Sequence, residues 1–554
     1  MKAIKFSGVV FAVSMFMFSG CGFSPKDTEN VEPESMLPAD SFMVMVADGS
    51  DEQQVANLGA LMDKFPGKER FFNYFKNYYD GAVSEDFKYE DMIAPIFDGD
   101  WKIAFGFSGA FESGDMDTYI VGKFSEVGDV EDLIEEYFES NVGAESVVEY
   151  KEENGIKYWV YGPGEMYIIR YGDLFVLTNK EENLAKAISA VEGGENFAAN
   201  ADVSANIAKL AEKNLAYFYM NMGGIDWDAL SGIQDGTEDA VMGSMNDIYK
   251  GFKDMYFVVT ADEGGIATST VIYLNEAGME EFGGAYSADF VNKVPGEGLF
   301  SYFEGVGLNY YVSMIVDAYG LTEWSKYVDL FSGPFAFAMY DVVQLYPAAS
   351  FYLSTSQAMT GLAKGFIAEL DSNVSELIKE LDILMLDAGQ RAGLLQKDVT
   401  VIAGGSFYKL FFNFDLLSED FIAQLNMMGM DVSNMVLELY YGMTGDGTLV
   451  VSLYPYFSDV YGKDILSNNE NFNKAVSEWK NINGGQFSYF DIAPLLSIAD
   501  TCVETLKATG VMGEKQTALY SDIKENVSLL RYIVGVSFVE ENALKSLSYM
   551  SIEE

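Results

Sequence analysis

Short apolar segments with the composition of β-strands occur twice along this chain in the same order, and this repetition constrains the fold more than any other feature. Each series opens with a proline and an acidic residue leading into an apolar strand. Self-similarity in a fixed order is typical of repeated structural units. The sequence therefore predicts an internal duplication, with one domain at residues 36–290 and a second at 291–554. The matching segments are residues 37–46 with 294–303, 98–105 with 331–338, 173–178 with 448–453, 196–197 with 471–472, 216–222 with 486–492, and 255–273 with 532–550.

Strand and helix patterns are combined within each predicted domain. The strands are rich in Val, Phe and Tyr and are joined by Gly, Asp and Asn turns, as around Phe257 and Val271, which indicates antiparallel hairpins. Residues 54–62 and 182–188 instead carry one apolar face at helical spacing, and Asn179 is the predicted N-cap of the second helix. These patterns favour an α+β fold in which each copy is a curved antiparallel sheet with helices packed on one face.

Charge and the absence of histidine restrict the functions open to the chain. Of 554 residues, 85 are acidic and 34 are basic, which gives a formal net charge of -51 at pH 7. Such a chain repels phosphates, so we predict no nucleic-acid partner. The lack of histidine removes the usual general base, the Ser/His/Asp and Cys/His nucleophile pairs, and imidazole metal sites. We therefore assign no catalytic, cofactor-binding or metal-binding residue and predict that the protein is not an enzyme.

The N-terminus has the layout of a signal peptide at residues 1–20. Lys2 and Lys5 precede an apolar run at residues 8–18, which is shorter than the roughly 20 residues that span a bilayer as a helix. Small residues follow it, and the sequence Phe-Ser-Gly-Cys ending at Cys21 resembles the lipobox of bacterial lipoproteins, although a lipobox usually begins with Leu. The resemblance implies that Cys21 is acylated and becomes the first residue of the mature chain.

The segment that begins at this cysteine predicts how the protein is held in the bacterial cell envelope. Residues 21–35 are acidic, contain proline and show no apolar periodicity, as expected for a lipidated tether. Several acyl chains on Cys21 would give stable membrane attachment despite the negative charge. By analogy with Gram-negative lipoproteins, Gly22 lacks the inner-membrane retention signal, which favours the outer membrane. Cys502 is the other cysteine in the sequence, so the mature fold has no second cysteine for an internal disulfide.

The first half of the chain resembles a family of bacterial envelope proteins of unknown function, many of them predicted lipoproteins, whose domains open with a Leu-Pro-Ala-Asp strand. Residues 37–40 match this opening, and residues 172–188, 200–203 and 215–220 match later motifs. In the second half, residues 294–297 replace the opening with Val-Pro-Gly-Glu. The resemblance supplies no activity and no site residues.

Acidic pairs and glycine pairs do not identify a site. The acidic pairs resemble acid/base dyads or calcium ligands, but in a chain with 85 acidic residues their presence is uninformative. The glycine pairs lack the flanking residues of phosphate-binding loops and are interpreted as turns. The pairs considered are Asp98/Asp100, Asp115/Asp117, Asp226/Asp228, Gly193-Gly194, Gly264-Gly265 and Gly404-Gly405.

Aromatic residues are abundant, and two interpretations of them lead to different functions. There are 35 tyrosines, 41 phenylalanines and 27 methionines, with aromatic clusters at residues 71–79 and 454–457. They either fill the core of a large sheet domain or line an apolar groove that takes a ligand.

The sequence favours a lipid-anchored envelope protein that acts as a non-enzymatic binding or structural module and is attached to the membrane through acylated Cys21. The alternative is a periplasmic or surface carrier or chaperone that holds a lipid or apolar peptide in an aromatic-lined cavity. A carboxylate-dependent glycan hydrolase is a third hypothesis. The sequence leaves open whether the ligand is a lipid, a peptide or a glycan.

Overall fold

A computed structural model describes most of the chain between Val31 and Ile552. The described ranges are residues 31–70, 100–110, 115–125, 149–153, 156–161, 166–192, 194–225, 249–276, 290–341, 348–387, 391–419, 436–479, 485–508 and 510–552, together with a few isolated positions between them.

Twenty β-strands form the framework of this part of the chain. They are β1 (Met43–Asp48), β2 (Trp101–Ala110), β3 (Asp115–Phe124), β4 (Glu149–Glu153), β5 (Ile156–Tyr161), β6 (Met166–Tyr171), β7 (Leu174–Thr178), β8 (Ala216–Asn221), β9 (Phe252–Ala261), β10 (Gly265–Leu274), β11 (Leu299–Gly305), β12 (Phe335–Tyr340), β13 (Ala348–Ser354), β14 (Leu395–Ile402), β15 (Gly405–Phe412), β16 (Glu438–Met443), β17 (Thr448–Ser452), β18 (Gly485–Asp491), β19 (Leu530–Glu540) and β20 (Ala543–Ile552).

All these strands belong to one sheet, and every pairing is antiparallel. From one edge to the other the strand order is 4-5-6-7-3-2-1-8-9-10-20-19-18-11-12-13-17-16-15-14. Within the described residues β4 and β14 each pair with one neighbour, so the sheet has two edges and is not closed. The predicted α+β class with antiparallel strands is confirmed.

The middle of the sheet is the pairing of β10 with β20. Its register runs from Gly265 opposite Ser551 to Tyr273 opposite Ala543. This pairing joins the first ten strands to the last ten, so the backbone hydrogen bonds continue through the whole sheet.

Nine α-helices accompany the sheet in the described ranges. They are α1 (Glu52–Lys64), α2 (Glu181–Val191), α3 (Ala201–Leu210), α4 (Leu308–Ala318), α5 (Thr360–Asp387), α6 (Phe457–Val460), α7 (Glu470–Trp479), α8 (Ile492–Ala508) and α9 (Glu514–Val527). None of these helices combines the length and the apolar character needed to cross a membrane.

Helices lie on both faces of the sheet, which corrects the expectation that they pack on one face. In β12, Ala336 belongs to a core that includes Phe472 of α7, whereas the adjacent Phe335 belongs to a core that includes Ala363 of α5. Successive residues of a strand point to opposite faces, so α7 and α5 cover opposite sides. Many strands here are apolar on both faces, and each face therefore requires its own cover.

One face of the last ten strands carries a core rich in tyrosine. The rings pack against one another with tilted or edge-to-face geometry, a favourable arrangement for aromatic pairs; Tyr340 and Tyr454, for example, have ring centroids 4.7 Å apart. The aromatic content of this half is therefore largely core. The tyrosines that are almost completely buried there include Tyr302, Tyr340, Tyr352, Tyr440 and Tyr489.

Buried carboxylates in this core accept hydrogen bonds from tyrosine hydroxyls. The Tyr440 hydroxyl donates to Glu438 Oε2 at 2.7 Å, and the Tyr489 hydroxyl donates to Asp491 Oδ2 at 3.0 Å. In each pair the two residues are two positions apart on one strand, so their side chains share a face. Burial, together with Glu438, raises the pKa of Tyr440 to about 12, so the phenol stays protonated and keeps donating at neutral pH.

The helix predicted over residues 54–62 is present as α1, and its N-cap is Asp51, whose side chain accepts from the backbone N–H groups of Gln53 and Gln54. This cap satisfies donors that the first turn leaves without a partner inside the helix.

The predicted N-cap of α2, Asn179, has another role. Helix α2 begins after Lys180 without a side-chain cap. The Asn179 side chain instead accepts from the Thr118 N–H and donates to the Met116 carbonyl. It ties the start of α2 to β3.

Candidate functional site

The candidate site lies in the first half of the sheet, where the start of α2 meets β3 and the end of β7. Its charged centre is Asp117 on β3, which is 7% exposed. Lys180 Nζ lies 2.7 Å from Asp117 Oδ1, and Lys186 Nζ lies 2.8 Å from Oδ2. Burial by itself raises the pKa of Asp117, but the two lysines outweigh it and hold the pKa below its ordinary value. The carboxylate therefore stays ionised and is not available as a general acid at neutral pH.

Buried polar side chains surround this carboxylate. Tyr119, Thr178 and Asn183 are fully buried, and Ser41 is 4% exposed. Each has a side-chain oxygen without a hydrogen-bond partner in the described part of the chain. Buried oxygens of this kind are uncommon in folded proteins. In folded proteins, buried water commonly satisfies such groups.

The position of these oxygens follows from the register of the sheet. Tyr119 and Thr178 are opposite each other in the β3–β7 pairing, and side chains opposite each other share a face. Asn183 lies in the first turn of α2, which packs over that face. Burial raises the pKa of Tyr119 well above its ordinary value, so its hydroxyl keeps its proton.

An open cavity of about 630 Å³ adjoins this cluster. Its wall combines residues 38–40 with one side of α2, including Lys186 and Ser189, and with Glu195. Lys186 links the two features, because it lines the cavity and its ammonium group reaches Asp117. The wall offers charged and hydroxyl groups, and no aromatic side chain is among its described lining residues.

A second cavity of about 630 Å³ lies in the other half, between the start of α5 and the turns that follow β14 and β16. Asp446 is on its wall and pairs with Lys293 Nζ at 2.8 Å. Although burial opposes the shift, Lys293 and the hydroxyls of Thr444 and Thr448 lower the pKa of Asp446 to about 2. This carboxylate is therefore ionised and ion-paired at neutral pH.

The predicted lipidation site, Cys21, lies outside the described residues, as does the signal peptide at residues 1–20. The predicted tether at residues 21–35 overlaps the described fold at its end. The Val31 carbonyl accepts from Lys123 Nζ, and Glu32 pairs with Lys102. The chain is thus attached to the sheet from residue 31 onward.

The acidic and glycine pairs are partly described. Asp98, Asp226 and Asp228 lie outside the described residues, and Asp117 is ion-paired as above. Gly264 and Gly404 lie in the turns of the β9–β10 and β14–β15 hairpins, as predicted. Among the described residues no group of three or more acidic or cysteine side chains is placed to hold a metal ion.

The sequence alone does not reveal the cluster around Asp117. In the sequence this residue stands out only as half of an acidic pair with Asp115, and its partners Lys180 and Lys186 are far from it along the chain. The one local signal is the polar pair Thr178-Asn179, which ends an apolar strand just before a helix.

The chain has little similarity to known proteins. No protein-family model matches it, and no curated protein matches it at a significant level. Among solved structures, crystal form III of TP0453 aligns with a TM-score of 0.26 and 9% identity over 47% of this chain and 83% of that one. Crystal form I of TP0453 gives a TM-score of 0.25 and 9% identity over 48% and 83%. TM-scores this low do not establish a shared fold.

Proposed function

We propose that this chain is a lipid-anchored protein of the bacterial cell envelope with a non-enzymatic binding role. The support for the anchor is the signal-peptide layout of residues 1–20, the lipobox-like sequence that ends at Cys21, and the short segment between that residue and Val31, where the chain joins the sheet. The outer membrane is the proposed location, because Gly22 follows the cysteine.

The two halves of the sheet are proposed to descend from one duplicated domain. The order of the first ten strands, 4-5-6-7-3-2-1-8-9-10, has the same form as that of the last ten, 14-15-16-17-13-12-11-18-19-20. The bridges formed by Pro38 with Asn196 and by Pro295 with Ile465 occupy corresponding places in the two series. These correspondences support the predicted domains at residues 36–290 and 291–554.

The binding role is assigned to the cavity beside α2, and the observation that carries it is a wall that combines charged and hydroxyl side chains with only small apolar ones among its described lining residues. Lys186, Ser189 and Glu195 offer a charged donor, a hydroxyl and a carboxylate acceptor. A ligand that carries several hydroxyls in a small volume would satisfy such groups, as a sugar ring does. We therefore propose a glycan ligand in preference to a lipid or an apolar peptide, because no aromatic or large aliphatic side chain is among the described lining residues.

Intact mass measurement tests this proposal. The chain from Gly22 onward, purified gently from its own envelope fraction, is compared by native and denaturing mass spectrometry. We expect a sugar-containing ligand that is lost on denaturation. Ser189→Phe, which places a ring in the cavity, should abolish its retention.

Lys364→Phe is the matched control for this variant. Lys364 is also an exposed helix residue, and it lines the cavity of the opposite half. This substitution should leave the ligand in place. Equal loss of ligand in both variants would contradict the assignment to the cavity beside α2.

Other outcomes of the mass measurement indicate other functions. A bound acyl chain would favour the carrier hypothesis, in which an aromatic-lined cavity holds a lipid. A chain without added mass in both spectra would contradict the glycan proposal and leave a structural or partner-binding role, to be pursued by crosslinking in the envelope.

A further inference from the structure

Strand β14 forms one edge of the sheet and exposes apolar side chains there. Within the described residues it pairs with β15 on one side and with no strand on the other. Val399 is 67% exposed and Val401 is 71% exposed. An exposed edge strand with apolar side chains is a template for pairing with another strand, and proteins usually protect such edges.

The turn after β14 determines which backbone groups face outward. Ala403 and Gly404 form a two-residue turn with positive φ angles of 48° and 75°, so the flanking pair of Ile402 and Gly405 exchanges both backbone hydrogen bonds. Alternate residues of β14 then point their backbone groups away from β15. Val399 and Val401 are among these, so their N–H and C=O groups face the free edge.

We propose that β14 pairs antiparallel with β14 of a second copy of this chain, about a two-fold axis at Thr400. In this register Val399 lies opposite the partner's Val401, and Val401 lies opposite the partner's Val399. Both members of each pair have outward backbone groups, so each pair exchanges two hydrogen bonds. The four valines lie on one face and form a single apolar cluster.

The charges on the strand are compatible with this register. Lys397 lies opposite the partner's Ala403, and Asp398 lies opposite the partner's Ile402. Like charges directly opposite each other would be destabilising, and this register places none in that position. The edge is thus self-complementary, as a two-fold interface requires.

An antiparallel pairing of the same type already exists inside the chain. Strands β10 and β20 pair antiparallel about a centre at Ser269 and Leu547, with four residue pairs on either side. That pairing brings two halves together in one continuous sheet. A β14 pairing between copies would extend the sheet by the same geometry.

Helix α5 packs beside this edge. Lys397, which points to the same face as Val399, pairs with Asp371 of α5 at 2.7 Å. This ion pair fixes α5 beside the start of β14.

Sedimentation velocity of the chain from Gly22 onward, over a wide range of protein concentration, tests the pairing. We expect a monomer–dimer equilibrium whose dimer fraction rises with salt, because salt screens the repulsion between two strongly negative copies. The double substitution V399K/V401K, which places charge at the edge, should abolish the dimer. V511K/L519K is the matched control, because it adds the same charge at two exposed apolar positions on another part of the chain.

Disulfide crosslinking tests the register itself. In a Cys502→Ser background, Thr400→Cys places two thiols opposite each other across the two-fold axis, within reach of a disulfide. Mild oxidation should crosslink this variant efficiently, whereas Asp398→Cys should crosslink poorly because its partner position is Ile402. A monomer at every concentration, equal loss of dimer in both lysine variants, or equal crosslinking of both cysteine variants would overturn the proposal.

Discussion

Individual residues show how a chain with so many carboxylates can bury some of them. Glu438 is 6% exposed, and it accepts from the Tyr440 hydroxyl and pairs with Lys409. Asp117 is held by two lysines. In each case donors surround the carboxylate and compensate for the water it loses on folding.

The stability contributed by Asp117 should depend on pH. At pH 7, Asp117→Asn should lower the free energy of unfolding by about 2 kcal/mol, because hydrogen bonds to a charged group are lost. The folded-state pKa of Asp117 lies below the ordinary value of 3.8, so this contribution is complete above that value and is lost as the pH falls through the folded-state pKa. Denaturant unfolding at a series of pH values should therefore show wild type and variant converging only in acid below pH 3.8.

Asp500→Asn is the control for this experiment. Asp500 pairs with Lys524 on the surface, where such a pair contributes about 0–1 kcal/mol. If Asp500→Asn lowered the free energy of unfolding as much as Asp117→Asn, burial would not decide how much an ion pair contributes to the stability of this protein.

Gly442 in β16 is a position where a side chain has no room. A Cβ atom there would lie 2.6 Å from the Ser406 carbonyl oxygen and 2.8 Å from the Phe407 Cα. Gly442→Ala should therefore reduce the unfolding free energy by about 1–3 kcal/mol. Gly361→Ala, in the first turn of α5 with open space around it, should leave stability unchanged or slightly raised. Thermal unfolding of both variants checks the contrast, and equal melting temperatures would contradict it.

At the scale of elements, local pairings are predictable from the sequence and distant ones are not. The hairpin around Phe257 and Val271 follows from its turn residues and is confirmed as β9–β10. The join of β10 with β20 brings together strands almost half the chain apart, and no local pattern specifies such a pairing. The role of Asn179 is likewise not predictable from local sequence, because its hydrogen-bond partners on β3 are distant from it along the chain.

A proline in the central join should be far more costly than one at an edge. Leu547 of β20 lies between Ser269 and Val536 in neighbouring strands. Leu547→Pro removes a ladder donor within the sheet and should cost at least about 2 kcal/mol. Leu395→Pro, at the first residue of edge strand β14, should cost much less because proline is tolerated there. Chemical unfolding measures the free energy of unfolding of both variants. Similar decreases in the two would contradict the central role of the β10–β20 pairing.

At the scale of the whole molecule, the two halves share one sheet, although the sequence predicts two domains. The predicted boundary near residue 290 falls between β10 and β11, and the two-domain organisation remains a prediction. The candidate site is not predictable from the sequence, because its residues meet only after β3, β7 and α2 have assembled.

The shared sheet should make unfolding cooperative. Separation of the halves would remove one of the two neighbouring strands of β10 and one of the two of β20, so neither half is expected to persist without the other. Calorimetry of the chain from Gly22 onward should show one heat-absorption peak, with equal calorimetric and van't Hoff enthalpies. Two well-separated peaks would show instead that the halves unfold independently.

The position of β20 has a consequence for how the protein is made. Among the described strands β20 is the last in chain order, yet it lies in the middle of the sheet. A chain that is synthesised from its N-terminus must keep one side of β10 unpaired until β20 has emerged. A product that stops before Ala543 lacks β20 and leaves one side of β10 and one side of β19 without a partner strand, so the two halves of the sheet are joined only after β20 has been made.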